Sequence, residues 1–127
     1  MRAAPASEGG VLASGGPPEF IVQPGFPHES LDCYRLSVSI ARWLVATRFP
    51  AGHSDLADQA LRASQSVVLN IAEGMALSGA ARRNHLRIAL GSAAEVTSVL
   101  DLVALPEAAA RQAELRRVGA MLRRLAA

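Results

Sequence analysis

Arginine is the side chain through which this sequence has most opportunity to act. Arg82, Arg83 and Arg87 fall within two helical turns, and Arg116, Arg117, Arg123 and Arg124 form two adjacent pairs, seven residues apart. A guanidinium presents a planar fork of donors that matches phosphate, so these seven residues are candidates for binding nucleic acid. Such contact is dominated by the phosphate backbone and is therefore strongly salt-dependent and weakly sequence-selective. Residues 1–60 hold four arginines and six acids, whereas residues 61–127 hold nine and five, so an anionic partner is drawn to the second half. The alternative is plainer. All 13 basic residues are arginine, which also suits a codon bias toward arginine and alanine, and an arginine-rich helix face is commonly just solvated. Glu107 and Glu114 dilute the last cluster, and no aromatic residue interleaves with it to stack on bases.

Other chemistry finds less support. Glu73 and Glu95 are two carboxylates that a helical bundle could turn on a metal or a proton, but a di-metal bundle site needs about six inward ligands, including a Glu-x-x-His repeat. That repeat is missing, so the two are expected to pair with arginines such as Arg62 or Arg87 across helices. His28, His53 and His85 have no spacing that puts two on one helical face, and each is expected to be solvated. The lone Cys33 rules out a disulfide framework and a multi-cysteine zinc site within these 127 residues, and on an apolar stripe it serves as a small hydrophobe. The sequence contains no phosphate-binding glycine loop, nucleophile elbow or dinucleotide fingerprint. A protein without catalytic activity, metal or cofactor is expected. No apolar run approaches the roughly 18 residues of a membrane span, and residues 1–30 lack a basic start followed by an apolar stretch, so a cytoplasmic protein with no membrane partner is expected.

The elements that position these residues are helical. Half of the 127 residues are hydrophobic but only 4% are aromatic, with alanine and leucine dominant, which favours an all-α fold of one domain. Residues 1–29 are punctuated by Gly9-Gly10, Gly15-Gly16, Pro17-Pro18 and Pro24-Gly25 and read as a flexible Gly/Pro/Ala-rich arm, whose Val11, Leu12, Phe20, Ile21 and Val22 could lie on a neighbour. Residues 30–127 read as four helices. The first spans 30–48 with Ser30 as N-cap and Leu31, Tyr34, Val38, Ala41 and Val45 facing the core; a surplus stripe, Cys33, Leu36, Ile40 and Trp43, is assigned to a subunit interface. The second runs from a Ser54 cap to about 77 on Ala57, Leu61, Ser64, Val68, Ile71 and Met75. The third covers 80–104 on Leu86, Ala89, Ala93, Val96, Leu100 and Val103, with Gly91 expected to admit another backbone. The fourth opens at Pro106 and carries Leu115, Val118, Leu122 and Leu125. Short connections make chain neighbours antiparallel, predicting an up-down-up-down four-helix bundle.

Two blocks carry a resemblance. Asn70-Ile71-Ala72-Glu73-Gly74 followed by Ser78, and Arg87-Ile88-Ala89-Leu90-Gly91-Ser92-Ala93-Ala94-Glu95-Val96, together resemble the 23S rRNA intervening-sequence proteins. Leu31-Asp32-Cys33-Tyr34 is similar to that family's opening of helix one, and Arg62 fits its basic position in helix two. The resemblance implies a bacterial antiparallel bundle assembled as a ring-shaped homopentamer. It further implies kinship to the accessory variability determinant (Avd) proteins of diversity-generating retroelements, which bind a reverse transcriptase and RNA, and it implies no catalysis. Asn70, Ile71, Ala72, Glu73, Gly74, Gly91, Ser92 and Glu95 are then fold-specifying residues. The chain departs from the family where Val68 replaces a common proline, where Arg82, Arg83 and His85 replace aromatic and aliphatic residues, and in a short connection between helices three and four. Two functions follow: an RNA-binding oligomer acting through the seven arginines, or an oligomeric scaffold that holds a protein partner on helix one or the arm.

Overall fold

A computed structural model describes residues 25–127; the arm read over residues 1–29 lies almost wholly outside them. A 3-10 turn at Pro27–Ser30 leads into α1 (Asp32–Ala46), followed by α2 (Ser54–Met75), α3 (Gly79–Leu102) and α4 (Ala108–Leu125), with no strand among the described residues. The fold is all-α with four helices. Each helix packs on its chain neighbour, and α4 closes against α1.

The connections explain where the helices stop. Pro50 disfavours helical geometry at Phe49, and α1 ends at Ala46, two residues short of the expected 48, with the Thr47 hydroxyl donating to Trp43 O at 2.6 Å. Gly52 at φ +89° and Gly79 at φ +59° take the left-handed conformation at the α1–α2 and α2–α3 corners, where a side chain would be strained. Ser54 and Ser30 do not cap. Ser54 is the first residue of α2, and Ser30 ends the 3-10 turn, leaving Leu31 ahead of α1. Pro106 stands in the turn before α4, two residues earlier than the helix proper.

The core stripes of α3 and α4 lie where the apolar period placed them: Leu86, Ala89, Ala93, Val96, Leu100 and Val103, and Leu115, Val118 and Leu122, are all buried. In α1 the expectation holds only in part: of the stripe assigned to the core, Leu31 and Tyr34 pack against it, while Val45 is exposed. Cys33, Ser37, Ile40 and Leu44 form the buried ridge, so Cys33 and Ile40, each 1% exposed, cannot serve as a subunit interface, and Leu36 and Trp43 pack against the same core. Buried Ser37 masks this ridge in the sequence; its hydroxyl is satisfied by Cys33 O at 2.6 Å, which makes the burial affordable. In α2 the seam is made of small residues, Ala60, Ala63, Ser64 and Gly74 with Val67 and Ile71, while the larger Leu61 and Val68 sit on the flank toward α1. Small residues allow the helix axes to approach, and an apolar-volume reading overlooks them.

Candidate nucleic-acid interface

The cationic surface is built by removing acids from it. On α4 the guanidinium of Arg111 donates to Glu107 at 3.2 Å and to Glu114 at 2.9 Å, and lies 5.4 Å from the centre of the Trp43 ring on α1. Both α4 carboxylates are thereby held on the flank facing α1. The hydrogen bond that Arg111 donates to Glu114, ahead of other causes, raises the Arg111 pKa further above its already high ordinary value. On the opposite flank Gln112 donates to Asp101 Oδ1 at 2.7 Å and Thr97 O at 3.0 Å, tying α4 to α3 and occupying a third acid.

Arg116, Arg117, Arg123 and Arg124 remain exposed, with no hydrogen bond or ion pair among the described residues. Their seven-residue repeat returns to nearly the same side after two turns, so the four share the outer arc of α4. Arg116 and Arg123 rim a groove of about 440 Å³ between α3 and α4 floored by Leu90, Ala94, Ser98 and Gly119, whereas Arg124 borders a crevice beside Asp32 of α1. The α3 arginines have different fates. Arg87 is exposed and Arg83 half-buried, neither with a partner among the described residues, but Arg82 donates from Nε to Leu77 O at 2.9 Å and from Nη2 to Met75 O at 3.3 Å. It caps the C-terminal end of α2, where unpaired carbonyls carry partial negative charge.

Part of the fold-specifying motif, Asn70, Ile71, Gly74 and Ser92, lines the α2–α3 seam. Asn70 donates from Nδ2 to Ser66 O at 2.9 Å and to Ser66 Oγ at 3.1 Å, and its Oδ1 lies 2.9 Å from His85 Nδ1. Ser92 Oγ donates to Ser66 Oγ at 2.8 Å, so the polar run crosses between the helices. His85 is therefore not a solvated residue: its side chain is 22% exposed and its Nδ1 also lies 3.7 Å from Glu73. Ile71 is fully buried and Ala72 half-buried. Glu73 and Glu95 are exposed, and neither pairs with Arg62 or Arg87. The expected pairing with arginine is not made: Glu73 lies nearest His85 of α3, and Glu95 has no ion-pair partner among the described residues.

Close backbone approach occurs at Gly74, not Gly91. A Cβ at Gly74 would lie 3.0 Å from His85 Cβ and 3.3 Å from Arg82 O, whereas one at Gly91 meets nothing within 4 Å. Gly91 faces outward from α3. The residues that sequence reasoning passed over are Arg111, Gln112, Ser66 and His85; the Glu107, Arg111, Glu114 spacing of four and three was the available signal for the first. Burial pushes the Cys33 thiol up from its ordinary value, against weaker lowering by backbone hydrogen bonds. Among the described residues no three of His, Cys, Asp and Glu gather as metal ligands, and no helix is long and apolar enough to cross a membrane.

Comparison with curated proteins finds no match. The model of the 23S rRNA-intervening sequence protein family, by contrast, matches residues 29–124, from the 3-10 turn to within three residues of the C-terminal alanine. That span takes in all four helices and the polar α2–α3 seam, and the chain is a member of the 23S rRNA-intervening sequence protein family.

Proposed function

We propose that this protein is a non-enzymatic, homo-oligomeric bundle that binds structured RNA, or an RNA–protein complex, through the arginine face of α4 with Arg83 and Arg87 of α3. One observation carries the reading: Arg111 gathers Glu107 and Glu114 toward Trp43, and Arg116, Arg117, Arg123 and Arg124 make no ion pair among the described residues. A surface of guanidinium groups freed of nearby acids attracts phosphate at long range and binds it in forks on contact. The name of the family points toward ribosomal RNA. Kinship to Avd proteins would make a complex of RNA with a reverse transcriptase the natural partner.

The proposed architecture is an up-down-up-down bundle repeated in a ring, with a pentamer as the expected state. Antiparallel neighbours are supported by pairs that descend on one helix as they ascend on the next: Arg82 with Met75, His85 with Asn70 and Ser92 with Ser66. With Cys33 and Ile40 inside the chain, the self-association surface is placed instead on the outer side of α3, where Ile88 (43% exposed), Leu102 (67% exposed) and the open Gly91 lie. Fivefold repetition would multiply the arginine face into a dense cationic surface.

A second reading, an oligomeric protein scaffold with no nucleic acid, is favoured by the exposed apolar groove between α1 and α2, where Val45 and Leu69 are 69% and 64% exposed. Light scattering coupled to size exclusion, on nuclease-treated and untreated protein, separates the two when mass and the ultraviolet absorbance ratio are recorded together. A near-pentameric mass with co-purifying RNA supports the first. A clean oligomer favours the scaffold, and a monomer contradicts the ring.

A further inference from the structure

The groove between α1 and α2 has a candidate occupant in the chain itself. Val38, Ala41 and Val45 of α1 face Leu61, Val68 and Leu69 of α2 around about 330 Å³ of space with an almost wholly apolar lining. An exposed pair such as Val45 and Leu69 at its rim leaves apolar area that some surface is expected to cover. The 3-10 turn with which the described chain opens packs on both helices that form this groove. Phe26 stacks on His28 with ring centres 5.9 Å apart, and His28 meets Tyr34 edge-on at 4.6 Å. Tyr34, Val38, Ala41 and Val45 follow one another at spacings of four, three and four, so a single stripe of α1 runs from the aromatic stack into the groove.

We infer that residues 20–22 of the same chain, Phe20-Ile21-Val22, lie in this groove and cover it. They are the densest apolar run before Gly25, and they precede it by three to five residues. At about 3.3 Å per extended residue that is a reach of about 10–17 Å, while Val38 and Val45 stand about 6 Å and 16 Å beyond Tyr34 at 1.5 Å rise per helical residue. Reach and distance match. Pro24-Gly25 supplies a point at which the chain can turn back along α1. Because the segment belongs to the chain, its local concentration is high and a small apolar contact suffices where a separate partner would need a larger one. The inference is independent of nucleic-acid binding.

The test uses the full chain with Phe20→p-benzoylphenylalanine, irradiated and mapped by peptide mass spectrometry. A mixture of light and heavy isotope-labelled protein distinguishes links within a chain from links between chains. Expected are intrachain links to Val38, Val68 or Leu69, lost when the exposed Leu69 is also changed to Glu. Links only between chains would assign the groove to a second copy, and links elsewhere, or none, would leave it to another partner; each of these results overturns the inference. A second readout uses Phe20→Ser with Ile21→Ser: exposure of the groove is expected to raise the fluorescence of an apolar dye, and an unchanged signal contradicts the inference.

Discussion

His85 Nδ1 lies 2.9 Å from Asn70 Oδ1, joining α3 to α2 at the place where Gly74 lets the two helices come closest. Asn70 spends its other group on Ser66, so one amide satisfies two elements. Asn70→Ala leaves the half-buried His85 Nδ1 without its Asn70 partner and takes one of two side-chain partners from Ser66 Oγ, which keeps Ser92, and is expected to cost about 1–3 kcal/mol in urea denaturation. A loss below about 0.5 kcal/mol would place the pair outside the cooperative seam.

Gly74→Ala is expected to destabilise by about 1–3 kcal/mol, because the new Cβ meets the backbone carbonyl of Arg82 as well as His85 and neither is a free side-chain tip. Gly91→Ala meets nothing and gains helix propensity, so stability should hold or rise by up to about 1 kcal/mol. Thermal melts of the two variants side by side check the contrast. Equal behaviour would contradict the assignment of close approach to Gly74.

Arg82 and Arg83 are neighbours with different work. Arg82→Ala removes two hydrogen bonds, one to the last carbonyl of α2 at Met75 and one to Leu77 in the turn that follows, and should cost about 1–2 kcal/mol, whereas Arg83→Ala should stay within about 0.5 kcal/mol. Charge reversal at Arg82 is therefore a poor probe of nucleic-acid binding, since it also strips a helix of its cap. Denaturant midpoints of the two alanine variants decide the matter.

Cys33 links stability to alkaline pH. Its thiol is raised by burial above the ordinary value of 9.0, so the unfolded chain releases the proton first. The contribution is fully present below about pH 9 and is lost as pH rises toward the folded value. Urea stability should fall above that pH, and less steeply in Cys33→Ala. Ellman's reagent should react slowly with the native protein and fast in denaturant; rapid native reaction would contradict the burial.

What the sequence made legible followed from uninterrupted period. The α3 and α4 stripes were readable because every core position on them is apolar, and the motif from Asn70 to Gly74 pointed to the seam it forms. The centre of the α1 core face was misplaced because Ser37, satisfied by its own helix, sits at a core position and breaks the apolar rhythm. Gly91 drew attention through its small neighbours, but direction on the helix decides contact, and only Gly74 faces a neighbouring helix closely. Arg82 could not be separated from the other arginines by spacing, because its partners are backbone carbonyls exposed only once α2 ends. Four helix-four arginines were legible as a cluster; the capture of Glu107 and Glu114 by Arg111 was legible in their spacing, but the side of α4 on which it sits follows from Trp43 of α1.

The central claim concerns the outer arc of α4, and the salt dependence of RNA binding tests it most directly. The wild type and a variant with Arg116, Arg117, Arg123 and Arg124 all changed to Gln would be titrated with a labelled structured RNA between about 50 and about 200 mM salt, with oligomer mass checked for both. Loss of four phosphate contacts per chain is expected to flatten the slope of log affinity against log salt by about 3 for each chain that engages the RNA and to weaken binding most at low salt. An unchanged slope at unchanged oligomer mass would contradict the account.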